Sequence, residues 1–306
     1  MQTTSTILMI EPVAFGFNEQ TAENNYFQQN DNAQSFDIQS NALKEFRAAV
    51  KLLRKAGVTV IVVPDTQDPR TPDSVFPNNW ISFHANGLVA VYPMFALNRR
   101  KERRVEVLNS VISQGFVLND IVDLSAAENE GKYLEGTGSM VLDRENCKVY
   151  AALSQRTNEE VLQKFCREFE YKPVIFKALQ TVAEQRLPIY HTNVVMSVGE
   201  GFAVVCLQSV DNKEERCILE NNLLENNKEI VEISEEQMHS FAGNMLQIKN
   251  ARGEKIIALS ETAYKSLTDK QIEQLSKYGQ LLSIAIPTIE KYGGGSIRCM
   301  MAEVFM

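Results

Sequence analysis

Histidine is scarce in this chain, cysteine is sparse, positive charge is in deficit, and no hydrophobic run is long. The five cysteines (Cys147, Cys166, Cys206, Cys217 and Cys299) are odd in number, irregularly spaced and never arranged as C-x-x-C. That pattern argues against a disulfide framework or a zinc ribbon and fits a reducing cytoplasm. The three histidines, His84, His191 and His239, lie far apart, none four residues from another. The sequence therefore asks for no metal and no cofactor. No apolar stretch approaches the roughly 20 residues that span a bilayer. The short run Ile7 to Ile10 has no basic segment before it, so it reads as a strand and not as a signal peptide. Lys and Arg number 31 against 39 Asp and Glu, for a net charge of −8. An acidic surface repels phosphate backbones, which excludes nucleic acid as a partner. Gly136-Thr137-Gly138 and Gly293 to Gly295 lack the G-x-G-x-x-G or G-K-[ST] context of a phosphate loop. No Gly/Ser/Pro-rich linker interrupts the 306 residues, so one catalytic domain, 1–306, is expected.

What is present is a period. Four stretches read as β-hairpins, turning at Asn86-Gly87, Asp143 to Asn146, Gly199 to Gly201 and Asn250 to Gly253. Asn-Gly between apolar runs is the clearest of these signals, because type I′ turns need positive φ at both central residues. Between hairpins lie helical patterns at Leu43 to Ala56, Arg100 to Ser113, Asn158 to Phe169 (capped by Thr157) and Asp269 to Lys277 (capped by Thr268). Each module reads as hairpin, helix and a further strand. Stacked or radial repeats follow from such a period. A fifth module would join Thr4 to Ile10 with Met300 to Phe305, closing a ring without sheet edges. The expected fold is α/β, a closed fivefold pseudosymmetric propeller of ββαβ modules completed by the two terminal strands. The polar tract Asn18 to Asn41 reads as a flexible, lid-like loop.

Polar residues stand at one phase of that period: Asn79, Glu135, His191, Asn244 and Cys299, at intervals of 53 to 56 residues. In a radial ring, equal phase means convergence on the axis. Cys299 follows three glycines that permit close approach of a ligand, which favours a nucleophile over a buried structural thiol. His191 suits acid–base work, since imidazole titrates near neutrality, whereas His84 and His239 read as ordinary satisfied residues. Glu135, between Leu134 and Gly136, reads as a carboxylate aimed inward, against the alternative of a solvated turn. Asn79 is compatible with plain turn chemistry, and Asn244 is taken as structural.

Together these residues resemble the guanidino-group-modifying superfamily, the penteins, which includes arginine deiminases, dimethylarginine hydrolases and amidinotransferases. Asp73-Ser74-Val75-Phe76-Pro77-Asn78-Asn79 resembles the segment carrying the first substrate-binding acid, and Leu134-Glu135-Gly136 the second. His191 resembles the catalytic histidine, and Cys299, after its glycines, the nucleophile. The resemblance implies that Arg99 and Arg156 bind a substrate α-carboxylate, for which a guanidinium fork is suited. It departs at Asn79 and Asn193, where arginine deiminases carry aspartates. Amides there suit a neutral ureido group, whose oxygen needs donors and whose NH groups need acceptors.

The resemblance is therefore closest to the citrulline hydrolases. It implies hydrolysis of L-citrulline to ornithine, carbon dioxide and ammonia. Cys299 would attack the ureido carbon, His191 would protonate the departing amine and then activate water, and Glu135 would accept ureido NH bonds. Asn79 and Asn193 would orient the group, with Asp73 at the α-amine. The expected partner is a small amino acid, with homo-oligomerisation left open. The rivals are a deiminase or amidinotransferase acting on a guanidino compound, and a non-catalytic ring protein of the same fold.

Overall fold

In the computed structural model, which describes residues 1–31 and 34–305, strands fall into five three-stranded sheets of one pattern and one separate hairpin. In each, a central strand has an antiparallel neighbour on one side and a parallel neighbour on the other. The central strands are Thr6–Glu11, Leu88–Val91, Lys148–Ala152, Phe202–Val205 and Lys255–Ser260. Their antiparallel partners are Ala302–Val304, Ile81–Phe83, Val141–Asp143, Met196–Val198 and Leu246–Lys249. Their parallel partners are Thr59–Pro64, Asp120–Asp123, Lys172–Phe176, Glu229–Glu232 and Gln280–Ile284. A parallel neighbour needs a crossover, and helices supply it: Ser35–Lys55, Val105–Ser113, Glu159–Glu168, Lys213–Glu225, and the pair Glu261–Ser266 and Asp269–Ser276. The two ends of the chain share a sheet, Thr6 facing Val304. The extra hairpin pairs Leu179–Val182 with Gln185–Pro188.

Local chemistry explains the boundaries. Thr268 caps its helix with a capping box to Gln271, as its sequence indicates. Asn158, not Thr157, caps Glu159–Glu168, its side chain accepting from the amides of Glu160 and Val161. The helix expected from Arg100 begins only at Val105, because Arg99–Glu102 forms a 3₁₀ turn that carries Arg99 and Glu102 inward. The strand expected from Asn193 starts at Met196, since Thr192–Val195 is a helical turn. The tract 18–41 is not one loop. Glu19–Ala22 is a helical turn, and from Ser35 the chain is helix with Ile38 buried; Asn32 and Ala33 lie outside the described residues. Among the described residues, no helix is long and apolar enough to cross a membrane.

One feature of the repeat positions the site. Immediately before the antiparallel strand, four of the five modules make a short buried helical turn: Pro77–Asn79, Gly136–Ser139, Thr192–Val195 and Ile297–Met300. The first of these packs on the second and the fourth, and the second packs on the third. Gly136, at φ +47°, allows this approach: a Cβ there would lie 2.3 Å from the Asn78 carbonyl oxygen.

Candidate active site

Those turns, with the 3₁₀ turn Arg99–Glu102 and the loops that carry Asp73 and Arg156, bring six of the eight residues singled out in the sequence to one cleft, lined by Asp73, Asn79, Arg99, Arg156, His191 and Cys299. Glu135 and Asn193 stand behind it.

Cys299 is only 3 % exposed. Two amides donate to its sulfur, Asn244 Nδ2 at 3.3 Å and Asn193 Nδ2 at 3.4 Å. Asn193 thus lies against the thiol and is not part of the cleft lining. Asn244, set aside as structural, is bonded on every side. Its Nδ2 also donates to the Asn193 carbonyl at 2.9 Å, and its Oδ1 accepts from the Arg298 N–H at 3.2 Å. The signal that could have nominated it was its place in the period of Asn79, Glu135, His191 and Cys299. Asn244→Asp keeps size but replaces two donor hydrogens with a charge that repels a thiolate. We expect kcat and the thiol alkylation rate to fall roughly ten- to hundredfold with folding retained. Unchanged alkylation would make Asn244 a packing residue only.

His191 precedes the turn Thr192–Val195, and its Nε2 lies 2.8 Å from Glu135 Oε2. Glu135 is fully buried, and its other oxygen accepts from the Phe95 N–H at 2.9 Å. Burial alone would raise the Glu135 pKa, but Arg156, His191 and Arg99 together hold it well below the usual carboxylate range. An ionised carboxylate can only accept, so the imidazole proton sits on Nε2 and Nδ1 carries the free lone pair. Burial pushes His191 down to about 4, against the pull of Glu135, so it is neutral at pH 7. Its Nδ1 faces Gly138, where a Cβ would lie 2.7 Å from that nitrogen; only glycine leaves the ring this room. Glu135 therefore fixes the orientation of the His191 ring, and in this structure turns both oxygens to protein donors.

Arg156 lies under the ring of Tyr190, 5.1 Å from its centroid, with Nη1 3.5 Å from Glu135 Oε2. Its Nε donates to Asn24 Oδ1 at 2.8 Å and its Nη2 to the Thr21 carbonyl at 2.7 Å. Asp73 Oδ2 accepts from Asn18 Nδ2 at 2.7 Å and from the Thr21 hydroxyl at 3.0 Å, while Oδ1 is buried without a partner. Burial raises the Asp73 pKa, and Arg99 opposes the shift. The segment around Asn18–Gln28 thus covers the cleft, and Asn25 and Gln28 extend its bonds to the carbonyls of Gly293, Gly294 and Tyr292. Among the described residues no group of three or more His, Cys, Asp or Glu could hold a metal ion. His84, by contrast, is a satisfied core residue, with Nε2 2.9 Å from Ser82 Oγ.

A cysteine, a histidine and its carboxylate, set on turns that open repeated three-stranded units, place the chain in the guanidino-group-modifying superfamily. Residues 11–306 match the model of the family described as N,N dimethylarginine dimethylhydrolase, eukaryotic, and the chain belongs to that family. Among solved structures, it is similar to ligand-free ArgZ, an arginine dihydrolase from the ornithine–ammonia cycle in cyanobacteria. The TM-score is 0.74 at 14 % identity, over 98 % of this chain and 40 % of ArgZ. The N-terminal domain of ArgZ, as a cysteine-to-serine variant bound to substrate, matches with a TM-score of 0.71 at 14 % identity, over 98 % of this chain and 99 % of that one. DDAH from Pseudomonas aeruginosa, as a cysteine-to-serine variant complexed with citrulline, matches with a TM-score of 0.66 at 16 % identity, over 99 % and 100 % of the two chains. At these identities the likeness is one of fold, and this chain spans 40 % of the length of whole ArgZ. No curated protein matches the chain in sequence.

Proposed function

We propose that the chain hydrolyses L-citrulline to ornithine, carbon dioxide and ammonia, on five modules closed into a propeller about the cleft. The shared sheet of the two ends, the mutual packing of the four turns and the Asn193–Asn244–Cys299 contacts support that closure.

The substrate reading rests on charge matching. Both buried arginines already face a carboxylate, Arg99 with Glu102 at 2.9 Å and Arg156 with Glu135 at 3.5 Å. Asp73 is the cleft carboxylate that keeps an unpartnered oxygen, on Oδ1. It serves one ligand ammonium. A guanidinium would add a second cation, and the residues expected to hold it, Asn79 and Asn193, are neutral. Citrulline has one ammonium, one carboxylate and an uncharged ureido group, which fits this balance.

In the proposed reaction, Asp73 takes the α-amine and Arg156 the α-carboxylate. Cys299 passes its thiol proton to His191 Nδ1, and the thiolate so formed attacks the ureido carbon. His191 returns that proton to the departing nitrogen, leaving the remaining carbamoyl group as a thioester on Cys299. It then takes a proton from water, whose oxygen attacks the same carbon and releases Cys299. Loss of carbon dioxide and the second nitrogen completes a balance of one citrulline and one water.

Product analysis on citrulline, arginine, agmatine and methylated arginines tests the reading. Ornithine and ammonia should appear from citrulline, with kcat/KM for arginine about a hundredfold lower or less. A preference for arginine or a methylated arginine would move the chain among the guanidino hydrolases. No turnover, with all five thiols alkylating slowly and alike, would indicate a binding protein instead.

A further inference from the structure

Glu102 is buried, lies behind Arg99 and does not line the cleft. We propose that Glu102, acting through Arg99, is a positioning residue that sets which end of the Asn79 amide faces the substrate and so selects a ureido oxygen over a guanidinium. The inference rests on the citrulline reading and deepens it.

A guanidinium has five N–H donors and no acceptor. Arg99 Nε and Nη2 donate to the two oxygens of Glu102 at 2.9 and 3.0 Å, a bidentate fork. Nη2 also reaches the carbonyls of Phe76 and Asp73 at 3.2 and 3.3 Å. Nη1 donates to Asn79 Oδ1 at 2.8 Å. Because arginine only donates, the atom it meets must be the amide oxygen, and the orientation of Asn79 follows from the chemistry. Its Nδ2 turns the other way, donating to Asn78 Oδ1 at 3.2 Å. A Cβ on Gly138 would stand 2.5 Å from that Nδ2 and 2.7 Å from His191 Nδ1. The amide nitrogen and the His191 ring therefore both pack against Gly138, and both side chains line the cleft.

A ureido oxygen brought to Asn79 in the cleft meets an N–H. A guanidinium nitrogen, itself carrying hydrogens, meets a donor with the Arg99 charge directly behind it. Glu102 keeps this arrangement because a forked guanidinium cannot turn without breaking both bonds at once. With these donors engaged, Arg99 retains one Nη1 hydrogen, on the side of Glu135 Oε2 at 4.0 Å. It cannot form the two-pronged carboxylate clamp implied by the resemblance, and Arg156 is left with that role.

The test measures binding, so that it does not depend on turnover. Dissociation constants for citrulline and arginine are determined in Cys299→Ser with and without Glu102→Gln. With Glu102 intact, citrulline should bind more tightly; Glu102→Gln should lower that preference about tenfold or more as Asn79 becomes free to flip. Should Glu102→Gln fail to fold because Arg99 is left uncompensated, Arg99→Met with Glu102→Leu removes the pair without an orphan charge and is read the same way. An equal loss for both ligands marks a merely structural role and overturns the proposal. So does an unchanged preference, or tighter arginine binding with Glu102 intact. Failure of the citrulline-hydrolysis reading shows up separately, as absent citrulline turnover by the wild-type chain.

Discussion

Cys299→Ser is expected to leave less than about 1 % of turnover while the folded state persists. The side chain sits in the 3₁₀ turn Ile297–Met300, where its sulfur accepts from the Asn193 and Asn244 amides and lies 3.8 Å from Asn193 Oδ1. A hydroxyl accepts from the same amides, so the loss is of nucleophile and not of structure. A serine would have to reach an alkoxide against a base that burial has pushed down to about 4. The check pairs initial rates with an unfolding midpoint. Activity of more than a few per cent with an unchanged midpoint removes Cys299 from the mechanism.

His191→Ala should reduce kcat roughly 10²- to 10⁴-fold, the span of general acid–base groups. Its pH dependence is also specific. The base must be neutral, so the acid limb of kcat/KM should lie closer to 4 than to the ordinary histidine value of 6.5. Stability carries the same signature. The unfolded chain binds a proton at His191 below 6.5, whereas the folded chain does so only near 4. Protons therefore favour unfolding across that window, and stability contributed by the neutral ring is lost as pH falls. A shift of this size corresponds to about 3 kcal/mol. His191→Ala should remove that slope from denaturant midpoints measured between pH 6.5 and 4. If the slope survives, the titrating group lies elsewhere.

Much of the architecture was legible because turns announce themselves locally. Asn86-Gly87 and Gly199 to Gly201 sit between short apolar runs, and the pairings Ile81–Val91 and Met196–Val205 follow. The period located Asn79, Glu135, His191 and Cys299 because each falls at the turn before an antiparallel strand. Composition could not show which way an amide or a carboxylate points. Asn193 and Asn244 look alike as letters, and only packing set both against sulfur. Glu102 hides in the basic stretch Arg99 to Arg104, where an acid three residues from Arg99 reads as a surface pair. The break in the helix at Arg103 turns Arg99 and Glu102 inward, and Arg103 has no sequence signal for it. The tract from Asn18 misled for a related reason: its polar side chains are inward-facing partners of the cleft, which hydrophobic periodicity cannot register.

That tract has a thermodynamic consequence. Asn18 and Thr21 occupy Asp73 Oδ2, and Thr21 and Asn24 occupy two nitrogens of Arg156. Asp73 and Arg156 are the side chains proposed for the ammonium and the carboxylate of an amino acid, with Asp73 Oδ1 still open. The chain therefore carries its own occupant for the ends of its binding site. A free amino acid competes with a tethered one, and the measured dissociation constant is the intrinsic value divided by the fraction of molecules in which the tether has let go.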